Sequence, residues 1–181
     1  MSSCKIIWLN GAFGVGKTTV ARELAERVRR ATLFDPEKIG FVLQRSPWTK
    51  QPDFQDIQAW RDWTVRLLTM AVNVTGRTQI VPMTLVDPKY FGEVVGRLRI
   101  RGLDVRHFAL VAPPEVIRAR LRSRGRDVAW GEQHLEQCAQ ALADDSFAVH
   151  IDADRAAVSI ATEIEKLISN RNRDGRSVSV H

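Results

Sequence analysis

A phosphate-binding loop pattern lies near the start of the 181-residue chain. Residues 11–18 read Gly-Ala-Phe-Gly-Val-Gly-Lys-Thr and match the pattern G-x-x-x-x-G-K-[ST]. An apolar run precedes the pattern and a helical pattern follows it, which is the strand–loop–helix context that such a loop needs. Backbone N–H groups and the positive end of the helix would then surround a phosphate. Lys17 would reach the β- and γ-phosphates, and Thr18 would offer its hydroxyl to Mg²⁺. The sequence therefore predicts a nucleoside triphosphate site with Mg²⁺, held by Gly11, Ala12, Phe13, Gly14, Val15, Gly16, Lys17, Thr18 and Thr19.

Carboxylates that could assist phosphate chemistry follow the predicted strands. Asp35 ends the second strand, where a parallel sheet collects its ligands. It could take a proton from an attacking hydroxyl or hold Mg²⁺ through water, or it could simply cap the next helix. The third strand ends in Pro82-Met83-Thr84 without an acid. Either Asp35 or Asp87 then serves the metal, or Thr18, the phosphates and waters hold it, and Asp87-Pro88 fits a helix start better.

A run of arginines follows the fourth predicted strand, between residues 118 and 126. Arg120 and Arg124 are one helical turn apart and share a face. Their planar guanidinium groups suit phosphate oxygens and the charge of a transferred phosphoryl group. A solvated basic helix or a nucleic-acid patch is the alternative. Behind a phosphate loop we favour a lid in which Arg120 and Arg124 act catalytically with Lys17 and Asp35, Gly125 serves as a hinge and Arg126 has a less certain part.

Strand and helix patterns alternate along the chain and predict an α/β fold. We expect a five-stranded parallel sheet with helices on both faces, a kinase-like three-layer sandwich around the phosphate loop. The predicted strands are 5–10, 32–34, 78–83, 105–112 and 148–151, and the predicted helices are 17–30, 37–73 with a loop at 46–53, 88–101, 114–126, 131–143 and 156–168. Residues 1–169 would form one nucleotide-binding domain with a helical substrate-side insert at 37–75 and the lid at 118–130, and the polar residues 170–181 would form a disordered tail.

Composition narrows the class of protein. The hydrophobic content is 44%, no apolar run is long enough for a bilayer, and no secretory signal is evident. The two cysteines, Cys4 and Cys138, lack metal-type spacing, so reduced thiols in a cytoplasmic protein are expected. The net charge of +6 is compatible with phosphate ligands. Because no aromatic and basic platform is visible, we do not expect nucleic acid as a partner.

Aromatic residues concentrate in the insert. They could line an apolar substrate pocket, although a buried core face is the commoner reason for such residues. The residues concerned are Trp48, Phe54, Trp60 and Trp63, together with Met70. His107, inside the fourth strand, is interpreted as structural. The segment His150–Asp154 ends the last strand and could contribute a backbone contact to the base of the nucleotide.

Several segments together resemble the tunicamycin-resistance ATP-binding protein family. They are residues 6–14, Asp35-Pro36-Glu37-Lys38 with the following Ile-Gly-Phe, residues 80–84 and residues 96–99, and the resemblance covers most of 5–168. It implies an ATP-binding protein with a nucleotide-kinase-like fold that protects bacteria against tunicamycin, and it explains the missing acid on the third strand. Some members carry a C-terminal amphipathic stretch linked to membrane attachment. Here residues 170–181 have almost no apolar face, which argues against membrane association.

Tunicamycin joins a uracil nucleoside, sugars and a fatty acyl chain, so a polar nucleoside site beside an apolar channel is expected. The tryptophan-rich insert fits that need. Three functions stay open at this point: a kinase that phosphorylates a hydroxyl of the drug or a related nucleoside, an ATP-dependent drug-binding protein without covalent chemistry, and a housekeeping nucleoside or nucleotide kinase. The choice between ATP and GTP and the oligomeric state also stay open.

Overall fold

Five parallel strands form the centre of the molecule. The computed structural model describes residues 4–47, 50–124, 128–144, 147 and 149–174. The strands are β1 (Ile6–Gly11), β2 (Ala31–Leu33), β3 (Thr78–Pro82), β4 (Val105–Val111) and β5 (His150–Asp152). Their order in the sheet is β2-β3-β1-β4-β5, with every neighbouring pair parallel. The predicted five-stranded parallel α/β fold is confirmed.

Helices cover both faces of this sheet. They are α1 (Lys17–Arg27), α2 (Pro36–Gln44), α3 (Gln58–Thr75), α4 (Pro88–Phe91), α5 (Arg97–Ile100), α6 (Pro114–Arg124), α7 (Val128–Leu142) and α8 (Ala157–Asp174). A short 3-10 turn at Phe54–Asp56 precedes α3, and a widened turn at Gly92–Gly96 joins α4 to α5. No helix within the described ranges is long and apolar enough to cross a membrane.

The central strand β1 divides the core into two layers. Successive side chains of a strand point to opposite faces, so Ile7 and Leu9 pack with α1 and α8 whereas Ile6 and Trp8 pack with α3. All six residues of β1 are buried. This is why the strand reads as a continuous apolar run instead of an alternating one.

The ends of some elements differ from the sequence prediction. Helix α1 ends at Arg27 because Val28 has an extended backbone, with φ −82° and ψ 115°. The chain then turns through Arg30, whose φ of 59° is left-handed. The predicted tail is helical as far as Asp174, since α8 continues beyond Ile168, and residues 175–181 lie outside the described residues. The predicted helix 88–101 is present but is widened in its middle by the turn at Gly92–Gly96.

Candidate functional site: the phosphate loop and its cavity

The phosphate loop joins β1 to α1 through glycines in left-handed conformations. Gly14 has a φ of 87° and Gly16 a φ of 111°. Gly16 is the residue that caps α1, and no side chain caps the first N–H groups of this helix. The open N–H groups and the helix dipole therefore make the start of α1 suitable for an anion.

Lys17 is held inside the loop by three oxygen atoms. Its side chain is only 8% exposed, and Nζ donates to the carbonyl oxygens of Gly11 at 2.9 Å and Ala12 at 3.0 Å and to Oγ1 of Thr84 at 2.8 Å. The hydroxyl of Thr84 in turn donates to the Gly11 carbonyl at 2.8 Å. The ammonium group is thus fixed at the phosphate-binding turn, where phosphate oxygens would compete for it.

Sequence reasoning missed this role of Thr84. Residues 82–84 at the end of the third strand contain no acid, and Thr84, two positions after the end of β3, is their first polar residue. The position of Thr84 just after β3 is the sequence feature that could have revealed its contact with the loop. Since β3 lies beside β1 in the sheet, the first polar side chain after β3 comes close to the start of the phosphate loop.

Asn10 fastens the loop to the segment that follows β3. Its Nδ2 donates to the carbonyl of Leu85 at 2.7 Å, and its Oδ1 accepts from the N–H groups of Leu85 and Gly11, both at 2.9 Å. Asn10 is fully buried, so these three bonds satisfy polar groups that have no access to water. They hold Thr84 next to the loop.

A cavity of about 370 Å³ opens on one side of the phosphate loop, and we call it the loop cavity. It brings the phosphate-binding side chains Lys17 and Thr18 together with the carboxylates Asp35 and Glu37. Its remaining lining residues are Phe13, Gly14, Gly16, Arg22, Leu33, Lys38 and Pro82. Groups that could bind a phosphate and groups that could accept a proton therefore share one space.

Asp35 both caps a helix and lines the loop cavity. Its Oδ1 accepts the N–H of Glu37 at 3.0 Å, so it is the N-cap of α2. The next residue, Pro36, is fixed through its carbonyl oxygen, which accepts from Nε1 of the buried Trp60 at 2.9 Å. Asp35 can therefore cap α2 and also face a ligand in the loop cavity, so the two roles predicted for it are compatible.

Glu37 is a second carboxylate in the loop cavity. Burial raises the pKa of this carboxyl group, the ammonium of Lys17 lowers it, and the neighbouring carboxylates of Asp35 and Asp53 raise it further. The net effect is a raised pKa, so the charged form is less favoured than in water. Sequence reasoning noted Glu37 only as a neighbour of Asp35.

The arginines of the predicted lid are only partly within the described residues. Arg120 donates from Nη1 to the carbonyl oxygens of Val15 at 3.0 Å and Ala153 at 2.9 Å. It therefore ties α6 to the phosphate loop and to the turn after β5, and it is not among the residues that line the loop cavity. The side chain of Arg124, and Gly125 and Arg126 entirely, lie outside the described residues.

Other sequence candidates have structural positions. Asp87 accepts from the N–H groups of Lys89 and Tyr90 and caps α4, as predicted for the Asp87-Pro88 pair.

Trp60 is completely buried, whereas Trp63 on the same helix is 45% exposed, and neither lines the loop cavity. Trp48, the other tryptophan of the insert, lies outside the described residues. His107 is buried against the rings of Phe91 and Phe147, and burial lowers its pKa to about 4.

The residues of the loop fit a nucleotide with Mg²⁺. The uncapped helix start suits phosphate oxygens, and Thr18 lines the loop cavity beside two carboxylates. Within the described ranges no cluster of three or more His, Cys, Asp or Glu side chains could hold a metal alone. Thr18 would hold a metal ion together with phosphate oxygens and water, a mode that Mg²⁺ commonly adopts, and Asp35 lies in the same cavity as a partner that could reach the metal through water.

Comparison with known proteins places the chain in a family. A family model described as an AAA domain matches residues 6–145. The tunicamycin resistance protein of Deinococcus radiodurans has a similar structure, with a TM-score of 0.76 and 32% sequence identity over 91% of this chain and 95% of that chain. The chain belongs to the phosphate-loop, kinase-like family of that protein. The family resemblance seen in the sequence is confirmed.

Members of other kinase groups share the fold of this family. A sugar kinase from a Janibacter species has a TM-score of 0.70 with 17% identity over 92% of this chain and 95% of its own. A shikimate kinase from Acinetobacter baumannii, in complex with shikimate, has a TM-score of 0.63 with 20% identity over 94% and 96%. At these identities the likeness concerns the fold alone. A comparison with curated protein sequences gives no match.

Proposed function

We propose that the chain is a small-molecule kinase of the tunicamycin-resistance family. It transfers the γ-phosphoryl group of ATP, with Mg²⁺, to a hydroxyl of tunicamycin or a related nucleoside antibiotic. The observation that supports this most is the loop cavity, because Lys17 and Thr18 share it with two carboxylates. A carboxylate placed beside them can accept the proton of an acceptor hydroxyl, a role that phosphoryl transfer needs and triphosphate binding alone does not.

Each residue has a part in this proposal. The backbone of residues 11–19 and Lys17 bind the phosphates, Thr18 contributes to Mg²⁺ binding, and the metal ion neutralises developing charge on the phosphates. Asp35 acts as the base for the acceptor hydroxyl or as a partner of the metal, and Glu37 stands next to it as a second acceptor of protons. Arg120 and Arg124 belong to the lid proposed at 118–130: Arg120 lies at its base, bonded to the phosphate loop, and the residues beyond it close over the substrates held by the insert at 37–75.

A mass measurement tests phosphoryl transfer directly. Incubation of the protein with MgATP and tunicamycin should give a product heavier by about 80 mass units, the addition of one phosphoryl group. Uridine in place of tunicamycin separates a resistance enzyme from a housekeeping nucleoside kinase. Repeated absence of the heavier product, while ATP binding is intact, would eliminate the kinase.

Two variants separate catalysis from sequestration. Asp35→Asn removes the charge but keeps an oxygen that can cap α2, so the variant should fold, bind ATP and lose transfer by at least about a hundredfold. Lys17→Ala should lose ATP binding as well. An ATP-dependent binding protein without covalent chemistry would instead keep its protection of cells in Asp35→Asn and lose it only in Lys17→Ala.

A further inference from the structure

A second cavity, different in chemistry, lies on the other side of the phosphate loop. It has a volume of about 270 Å³ and lies between the carboxyl end of β4 and the helices α6 and α7. Ala12, Leu110, Ile117, Ala139 and Leu142 are among its lining residues, and we call it the apolar cavity. Two of its lining residues, Ala143 and His150, are exposed, so the cavity opens to solvent and a ligand can enter it.

The lining of the apolar cavity favours an apolar ligand over a charged or strongly polar one. All of its lining residues are alanine, leucine, isoleucine or valine except His150. The Nε2 atom of His150 is already bonded to the carbonyl oxygen of Leu142 at 2.7 Å. A sugar, a phosphate or a nucleobase buried here would lose its hydrogen bonds to water without replacement, whereas a hydrocarbon chain would lose none.

Both cavities border the phosphate loop. Ala12 lines the apolar cavity, and the next residue, Phe13, lines the loop cavity. An elongated ligand that spans the loop would present a hydroxyl in the loop cavity and place an apolar part in the apolar cavity. A water-sized group occupies about 30 Å³, so the apolar cavity has room for a segment of roughly nine methylene groups.

We propose that the apolar cavity binds the fatty acyl chain of the substrate. This inference rests on the proposed function, and it replaces the tryptophan-rich insert as the location of the expected apolar channel. Three small lining residues, Ala112, Ala139 and Ala143, leave the space that the chain fills.

The first experiment measures binding as a function of chain length. Calorimetric titration of the full-length protein with tunicamycin homologues and with the deacylated nucleoside core should show affinity rising with each added methylene. A fully buried methylene corresponds to about a fourfold gain, and the gain should level off once roughly nine are buried. Equal affinity for the deacylated core and the long-chain homologues would overturn the proposal, as would the absence of binding to any of them.

The second experiment fills the apolar cavity. Ala139→Leu and Ala143→Leu place additional carbon atoms at two lining positions, and Ala141→Leu makes the same change on α7 at a position that does not line it. The first two should weaken binding of the long-chain homologue at least tenfold and leave the deacylated core unaffected, and Ala141→Leu should change neither. Equal loss for both ligands, or no loss for either, contradicts the proposal. If urea unfolding shows that one of the two leucine variants does not fold, the other leucine variant and the chain-length series on the wild-type protein test the proposal.

These outcomes distinguish the present inference from the proposed kinase activity. Chain-length-dependent binding without any phosphorylated product would support the apolar site and overturn the kinase. Efficient phosphorylation of the deacylated core, with the same KM as for the acylated drug, would support the kinase and overturn the apolar site.

Discussion

At the scale of single residues, the site depends on polar side chains that the sequence places far apart. The loop residues could be predicted because their spacing is itself the motif. Thr84 could not, because its contact with Lys17 spans 67 positions and requires β3 to lie beside β1. Glu37 could be seen in the sequence, but its raised pKa depends on burial beside Lys17, which only the fold supplies.

The variant Thr84→Val tests the hydrogen bonds of Thr84. It keeps the shape of the side chain but removes the hydroxyl that accepts from Lys17 and donates to Gly11. Because a buried ammonium group then loses an acceptor, we expect the free energy of unfolding to fall by about 1–3 kcal/mol in urea titrations. Thr84→Ser retains the hydroxyl and should lose much less. Equal effects of valine and serine would show that the methyl group, and not the hydroxyl, is what matters.

Glu37 should give the protein a specific pH dependence. Its pKa is raised in the folded state, so its contribution to stability is fully present at pH values below the unfolded pKa and is lost as the pH rises through the folded pKa. Glu37→Gln should therefore unfold at higher urea concentration than the wild type at pH 7, and the difference should vanish near pH 4. Glu26→Gln, an exposed change on α1, is the control and should show no such difference. A gain that persists unchanged at pH 4 would rule out this explanation.

At the scale of elements, the phosphate loop is shaped by the helix that packs on it. A Cβ atom at Gly14 would lie 2.7 Å from two side-chain atoms of Leu121 on α6, whereas one at Gly16 would meet nothing within 4 Å. Arg120, the neighbour of Leu121, bonds to the carbonyl of Val15. Helix α6 and the loop therefore form one packed unit. The sequence predicted both elements but not this contact, since no local pattern records which helix lies over a loop.

Alanine substitutions at the two glycines separate backbone strain from crowding. Gly16→Ala should cost about 1–2 kcal/mol in unfolding free energy, because only the left-handed backbone is strained. Gly14→Ala adds the clash with Leu121, which should lower the free energy of unfolding by a further amount of about 1–3 kcal/mol. In the double variant Gly14→Ala with Leu121→Ala, the clash is relieved and the two costs should be less than additive. Strict additivity in urea titrations would mean that α6 does not press on the loop.

At the scale of the whole molecule, the fold could be predicted from the sequence because the sequence patterns that specify it are local. Each strand is a short apolar run and each helix a periodic one, and alternation of the two specifies a parallel sheet. The lid and the insert are less accessible to such reasoning. Trp60 and Trp63 are three residues apart on α3, yet Trp60 is in the core and Trp63 is 45% exposed, because they lie on opposite sides of the boundary between core and solvent.

Nucleotide binding should stabilise the entire domain. The loop is bonded to Thr84, which follows β3, and to Arg120 of α6, so a ligand held there binds only the folded chain. At a MgATP concentration one hundred times its Kd, we expect about 2.7 kcal/mol of additional stability. For a chain of this size that corresponds to a rise in Tm of about 5–11 °C in calorimetry. Lys17→Ala should abolish most of the rise, and an unchanged Tm of the wild type with MgATP would contradict nucleotide binding.

The central position of β1 has a consequence for how the protein is made. Strand β1 is synthesised before its sheet partners β3 and β4. Its last residues and the phosphate loop are bonded to Leu85 through Asn10 and to Arg120 through Val15, and both partners follow much later in the chain. The phosphate-binding motif is therefore completed only after β3, β4 and the first part of α6 have been synthesised. A ribosome-bound fragment ending before β4 should be sensitive to proteases at the loop whether or not nucleotide is present.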